Sequence, residues 1–150
     1  MKSTLLVDDE AMICVELERT LQGFGFCVES ARTVESAVSL IQKKRFAVIL
    51  PEFHLRSEQN AHPRTGNGLQ LARPLRDLEL KIPILMSTAM AGELYKTASL
   101  DAGGDDCIPK STSIPCLVAR LHADIRRYEQ NSSEGTPSVL ARTPFESYRI

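Results

Sequence analysis

The chain carries almost no net charge: 18 lysines and arginines stand against 19 aspartates and glutamates, a balance of −1. Such a surface has no general attraction for nucleic acid or anionic membrane, so neither is expected as a partner. No apolar run reaches the length of a membrane span, and Met1-Lys2-Ser3 leads straight into a strand pattern rather than a signal peptide. Four cysteines, Cys14, Cys27, Cys107 and Cys116, form no C-x-x-C pair and no zinc-type cluster with His54, His62 or His122. They read as buried reduced thiols, which points to a cytoplasmic location. There is no internal repeat, and no recognition-helix module follows residue 128. The most telling absence is a single residue. Where the third strand should end, Phe46-Ala47-Val48-Ile49-Leu50-Pro51-Glu52 offers a glutamate and no aspartate.

What is present is an alternation of short apolar runs with amphipathic segments, the pattern of one doubly wound α/β domain. Thr4 to Val7, Phe26 to Glu29, Ala47 to Leu50, Ile82 to Met86 and Asp106 to Pro109 read as strands. A first helix places Ile13, Cys14, Leu17, Leu21 and Phe24 on one stripe and stops at Gly23 and Gly25. Thr33 caps a second, with Ser36 in its first turn and Val34, Ala37, Val38 and Ile41 as its apolar face. The polar stretch from Arg56 to Gly68 reads as loop, and the next helix contains Pro74, which should kink it or delay its start. A fourth helix spans Ala89 to Leu100. The last carries Ile114, Leu117, Val118, Leu121, Ile125 and Tyr128 at spacings of three and four. Periodicity stops at Glu129, so residues 1–128 form the expected domain and residues 129–150 a flexible tail, in which 144–150 is a candidate docking segment.

In a parallel sheet of this kind, chemistry gathers beyond the carboxyl ends of the strands. Those positions hold Asp8 and Asp9, then Glu52, then Thr88 with Ala89, then Lys110. Carboxylates are hard oxygen ligands suited to Mg²⁺, which makes Asp8, Asp9 and Glu52 the candidate metal ligands. A hydroxyl and an ammonium, Thr88 and Lys110, can hold the oxygens of a phosphoryl group.

Leu5-Leu6-Val7-Asp8-Asp9-Glu10, Pro83-Ile84-Leu85-Met86-Ser87-Thr88-Ala89 and Ala102-Gly103-Gly104-Asp105-Asp106-Cys107-Ile108-Pro109-Lys110 together resemble the response-regulator receiver family of two-component signalling. The resemblance runs over residues 2–128. It implies a flavodoxin-like parallel sheet of five strands in the order 2-1-3-4-5 with five helices. It also implies an acidic pair that holds Mg²⁺, a phosphoacceptor aspartate after the third strand, and phosphate contacts from Thr88 and Lys110. Its implied partner is a signalling protein, a kinase or an output protein, met through the fourth helix, fifth strand and fifth helix. Glu93, Tyr95, Lys96 and Arg120 are the exposed candidates on that face, and a homodimer is compatible with it.

Three positions depart from the family. Glu52 stands at the phosphoacceptor position, and a slip of one would put Pro51 there. Cys107 stands where an aromatic residue reads out the switch, and Ser111 where a proline follows the lysine. Glutamate is one methylene longer than aspartate, and its oxygens would enter the space of metal and phosphoryl group. A salt bridge from Glu52 to Lys110 across that space would imitate a fixed state. The reading that follows is a pseudo-receiver acting by protein–protein interaction, not an enzyme beyond self-phosphorylation at most. The alternatives are a working Mg²⁺-dependent phosphoacceptor and a flavin- or nucleotide-binding protein of the same topology. For the last, Asp8-Asp9-Glu10-Ala11 is unsuited as a phosphate loop.

Overall fold

The computed structural model describes residues 2–52, 67–89 and 92–133, with the backbone alone at 67–70 and 132–133. The elements alternate throughout: β1 (Lys2–Val7), α1 (Ala11–Gly23), β2 (Phe26–Ala31), α2 (Val34–Lys43), β3 (Val48–Pro51), α3 (Asn67–Asp77), β4 (Leu85–Thr88), α4 (Glu93–Asp101), β5 (Asp106–Pro109) and α5 (Ile114–Ser133). β1 pairs in parallel with β2 and β3, placing Val7 opposite both Ala31 and Pro51. β4 pairs in parallel with β5. Parallel bridges from Ile49 to Ile84 and from Glu52 to Ser87 join the two halves. The sheet order is therefore 2-1-3-4-5, as the family resemblance implies.

Strand alternation divides the core between two faces. Leu5, Val7, Ile49, Ile84 and Met86 pack with Ala37, Ile41, Leu71, Ala72 and Leu75 from α2 and α3. Leu6, Val48, Leu50, Leu85 and Ile108 point the other way, against Leu21 of α1 and Leu117, Leu121 and Ile125 of α5. The sheet is thus largely apolar on both faces, and buried Asp8, Glu52 and Thr88 stand at the carboxyl ends of its strands.

Local chemistry accounts for several boundaries. Thr33 caps α2 as its sequence suggests. The Thr33 hydroxyl accepts from the Ser36 amide at 3.1 Å and the Ser36 hydroxyl accepts from the Thr33 amide at 3.2 Å. Gly25 adopts φ of 91° in the turn from α1 to β2, a conformation only glycine takes without strain.

Other expectations are corrected. α3 begins at Asn67, within the stretch read as loop, and runs through Pro74, whose exposed ring faces solvent. β4 reaches Thr88, and α4 starts at Glu93 rather than Ala89. α5 continues to Ser133, past the end of its apolar periodicity at Tyr128. Phe24, expected on the buried stripe of α1, is 49% exposed. Only Cys14 of the four cysteines is buried; Cys27 and Cys116 are exposed and Cys107 is half-buried. His54, His62 and the segment 144–150 lie outside the described residues. The His122 ring packs edge-on against Phe26, with centroids 5.1 Å apart.

Candidate functional site

Three polar side chains are brought together because each follows a strand whose neighbour fixes its backbone. The Asp8 amide donates to the Ala31 carbonyl at 3.0 Å, the Glu52 amide to Val7 at 2.7 Å, and the Lys110 amide to Thr88 at 2.7 Å. Continuing the ladder by one residue in this way leaves each side chain at the carboxyl edge of the sheet. Because Pro51 is the last residue of β3, opposite Val7, it is Glu52 that occupies the strand-end position.

The Lys110 ammonium lies between two carboxylates. It is 2.5 Å from Glu52 Oε2 and 3.0 Å from Asp8 Oδ2. Both acids are buried, Glu52 to 5% exposure and Asp8 to 7%. The other Asp8 oxygen, Oδ1, accepts from the Glu10 amide at 2.9 Å and so holds the turn into α1. Burial alone would lower the lysine pKa, but its hydrogen bonds to Glu52 and Asp8 hold it above the usual lysine range. The Cys14 thiol donates to the Asp8 carbonyl at 3.5 Å, and burial followed by the Asp8 charge pushes that thiol's pKa up, away from thiolate reactivity.

The remaining expected residues fall nearby with different roles. Thr88 is buried and gives the carbonyl that anchors Lys110. Ser87, one residue earlier, lines the cavity beside Asp8, Glu52 and Lys110. Ser87 was not singled out from the sequence, although its two-residue spacing from buried Leu85 is the strand signal that finds it. Asp9 is half-buried. Cys107 packs against the α2–α3 face of the core, so no aromatic ring occupies that position. Of the proposed partner-face residues, Glu93, Lys96 and Arg120 are exposed, whereas Tyr95 is half-buried. Arg120 pairs with Asp106 at 2.5 Å, linking α5 to β5.

Asp8 and Glu52 form an acidic cluster of the hard-oxygen kind that suits Mg²⁺. As arranged, however, the cation between them is an ammonium. Among the described residues no three carboxylate, imidazole or thiol groups gather to hold a metal, the expected trio Asp8, Asp9 and Glu52 included. The arrangement is therefore a closed ion-pair cluster, in which Asp8 and Glu52 are the oxygen groups that a divalent ion would use.

The profile of the response regulator receiver domain matches residues 4–122. The chain is 32% identical over 135 residues to the response regulator MprA of Mycobacterium sp. (strain KMS), covering 90% of this chain and 55% of that protein. Among solved structures, a putative response regulator from Chloroflexus aurantiacus superposes with a TM-score of 0.73 at 28% identity, over 83% of this chain and 98% of that one. The non-phosphorylated HemR receiver domain of Leptospira biflexa superposes with a TM-score of 0.69 at 26% identity, over 83% of this chain and 94% of that one. A doubly wound sheet with buried carboxylates and a lysine at its carboxyl edge is the architecture of a phosphorelay receiver. The chain belongs to the response regulator receiver domain family. It spans about half the length of MprA. Among the described residues, no helix is long and apolar enough to cross a membrane.

Proposed function

We propose that this receiver domain works as a pseudo-receiver, signalling through protein–protein contact without accepting a phosphoryl group. The observation that carries the reading is the Lys110 ammonium held by Glu52 and Asp8 together. The extra methylene of glutamate brings its carboxylate to the lysine, and the space that a phosphoryl group would need is crossed by an ion pair. The two ion pairs hold the cluster in one arrangement without chemistry. It catalyses nothing in this reading. Its partner is a signalling protein, bound through α4, β5 and α5, where Leu94 is 79% exposed beside Glu93 and Lys96. The same face would serve a homodimer. Membership of a family whose members signal through partners supports that expectation.

The second reading, a phosphoacceptor that uses Mg²⁺, draws on the buried acidic pair. The two separate in one experiment: incubation with Mg²⁺ and acetyl phosphate, followed by intact mass spectrometry, with Glu52→Asp alongside. The expected result is no adduct on the wild type and a phosphoryl adduct on the variant, whose shorter side chain reopens the space. An adduct on the wild type sinks the pseudo-receiver reading.

A further inference from the structure

Between α1 and α5, next to the Lys110 cluster, the fold leaves a cavity of about 290 Å³. Leu6, Leu50 and Ile108 of the sheet form its floor, Ile13 and Leu17 one wall, and Leu117 the other. On α1 the lining residues Ile13, Glu16, Leu17 and Thr20 recur at spacings of three and four, so one helix face runs along it for about 10 Å. Ile13 and Leu17 are only half-buried, which leaves apolar surface that the protein itself does not cover.

The charged groups in the lining are Asp8, Glu16, Glu52 and Lys110, three carboxylates to one ammonium. Two of those carboxylates are more than nine-tenths buried, so their field is poorly screened by water. An anion would be repelled. A bare metal ion would meet Asp8 and Glu52 at the polar end, where Lys110 already pairs with both, and would leave the apolar walls uncovered. The volume sits at the small end of the ~300–1,000 Å³ typical of ligand pockets, too little for a folded peptide segment.

We propose that this cavity binds a small organic cation, an apolar chain of about six carbons ending in an ammonium, lying between α1 and α5 with its charged end toward Asp8 and Glu52. The apolar body covers the half-buried Ile13 and Leu17. The ammonium shares the two carboxylates with Lys110, so occupancy loosens the lysine's hold on Glu52 and gives the closed cluster a second state. The ligand thereby acts on the same strand ends that a phosphoryl group uses elsewhere in the family. Binding requires no phosphodonor, so this inference and the pseudo-receiver reading can fail separately.

The test is a titration of the whole chain, near neutral pH and without phosphodonor, with n-hexylamine, n-hexanol and hexanoate, followed by amide NMR. Hexylamine is expected to give saturable shifts around Leu17, Thr20 and Leu117, with a Kd of order 1 mM for so few non-hydrogen atoms. Hexanoate should bind at least about tenfold more weakly, the worth of one charge-assisted contact. Thr20→Trp, which fills the mouth from a half-buried position, should abolish the shifts. Glu52→Gln should bring the amine down toward hexanol. Glu16→Gln, at an exposed position, provides a charge test that does not disturb folding and should weaken the amine alone. The absence of saturable shifts, hexanoate binding as tightly as the amine, or a Thr20→Trp protein that binds unchanged would each overturn the proposal.

Discussion

The lysine at the end of β5 is held by opposing effects whose balance can be measured. Burial disfavours its charge, while hydrogen bonds to Glu52 and Asp8 favour it and leave the folded pKa above the ordinary value. A raised folded pKa means that the pairing's stability is fully present below the unfolded lysine value, about 10.4. It is lost as pH rises through the folded value. Stability against unfolding, followed from pH 9 upward, should therefore fall more steeply for the wild type than for Lys110→Ala. At neutral pH the same variant leaves two buried carboxylates without their cation. The loss should be about 2–3 kcal/mol in urea denaturation, below the full figure for a buried pair because Lys110 is partly exposed. Equal stability of variant and wild type would show that the cluster holds nothing together. This pairing was legible in the sequence, because a lysine and a glutamate that both follow strands of one parallel sheet come to the same carboxyl edge. Ser87 and Cys14 were not. Ser87 required the true end of β4, and the Cys14 contact is made to a backbone carbonyl, which no side-chain pattern reports.

Among the elements, α5 is the one whose sequence and structure diverge most usefully. Its apolar stripe, Leu117, Leu121 and Ile125, was plain from periodicity and is buried. Its last turn beyond Tyr128 was invisible, because a helix that runs past the core has no apolar face to show. Lys2 pairs with Glu129 there at 2.7 Å, tying that turn to the start of β1. The start of α3 was hidden in the opposite way, by Asn67 and Gly68, residues that read as loop wherever they stand.

α5 also buries Asp124, 2% exposed, whose Oδ1 meets Arg127 one turn on while Oδ2 has no hydrogen-bond partner among the described residues. Burial pushes its pKa up, partly offset by Arg127 and reinforced by Asp106 and Asp105. For a carboxyl raised by folding, the favourable contribution is present below the unfolded value, near 3.9, and is lost as pH rises through the folded one. Asp124→Asn should accordingly stabilise the domain at neutral pH by about 1 kcal/mol. It should also flatten the decline in melting temperature that this group imposes as pH rises from about 4. A variant less stable than wild type at neutral pH would mean that the Arg127 pair outweighs the burial cost.

At the scale of the molecule, the sheet separates two polar assemblies. The Lys110 cluster closes the carboxyl edge. At the opposite edge, Arg76 of α3 donates to the carbonyls of Gly103 at 2.8 Å and Leu80 at 3.0 Å and to Asp105 Oδ2 at 2.7 Å. Asp105 also accepts from the Ile84 amide at 2.8 Å and from the Tyr128 hydroxyl at 2.7 Å. One aspartate thus fastens α3, α5 and the residue that leads into β4. Gly103 has φ of 106°, and a side chain there would meet Arg76 Cγ at 2.7 Å, so the clasp also dictates a glycine. Burial and the Asp105 hydrogen bond raise the tyrosine's pKa far beyond its usual range, which keeps its proton on the donor. Tyr128→Phe removes one bond to a charged acceptor and should cost about 1.5 kcal/mol. The two assemblies are separated by the length of β5, four residues or roughly 13 Å. If the domain rests in a single locked arrangement, Tyr128→Phe and Lys110→Ala should add within about 0.5 kcal/mol, as distant sites do. A larger coupling in the double variant would mean that the sheet passes a change at one edge to the other, and that the domain moves between two states rather than resting in one.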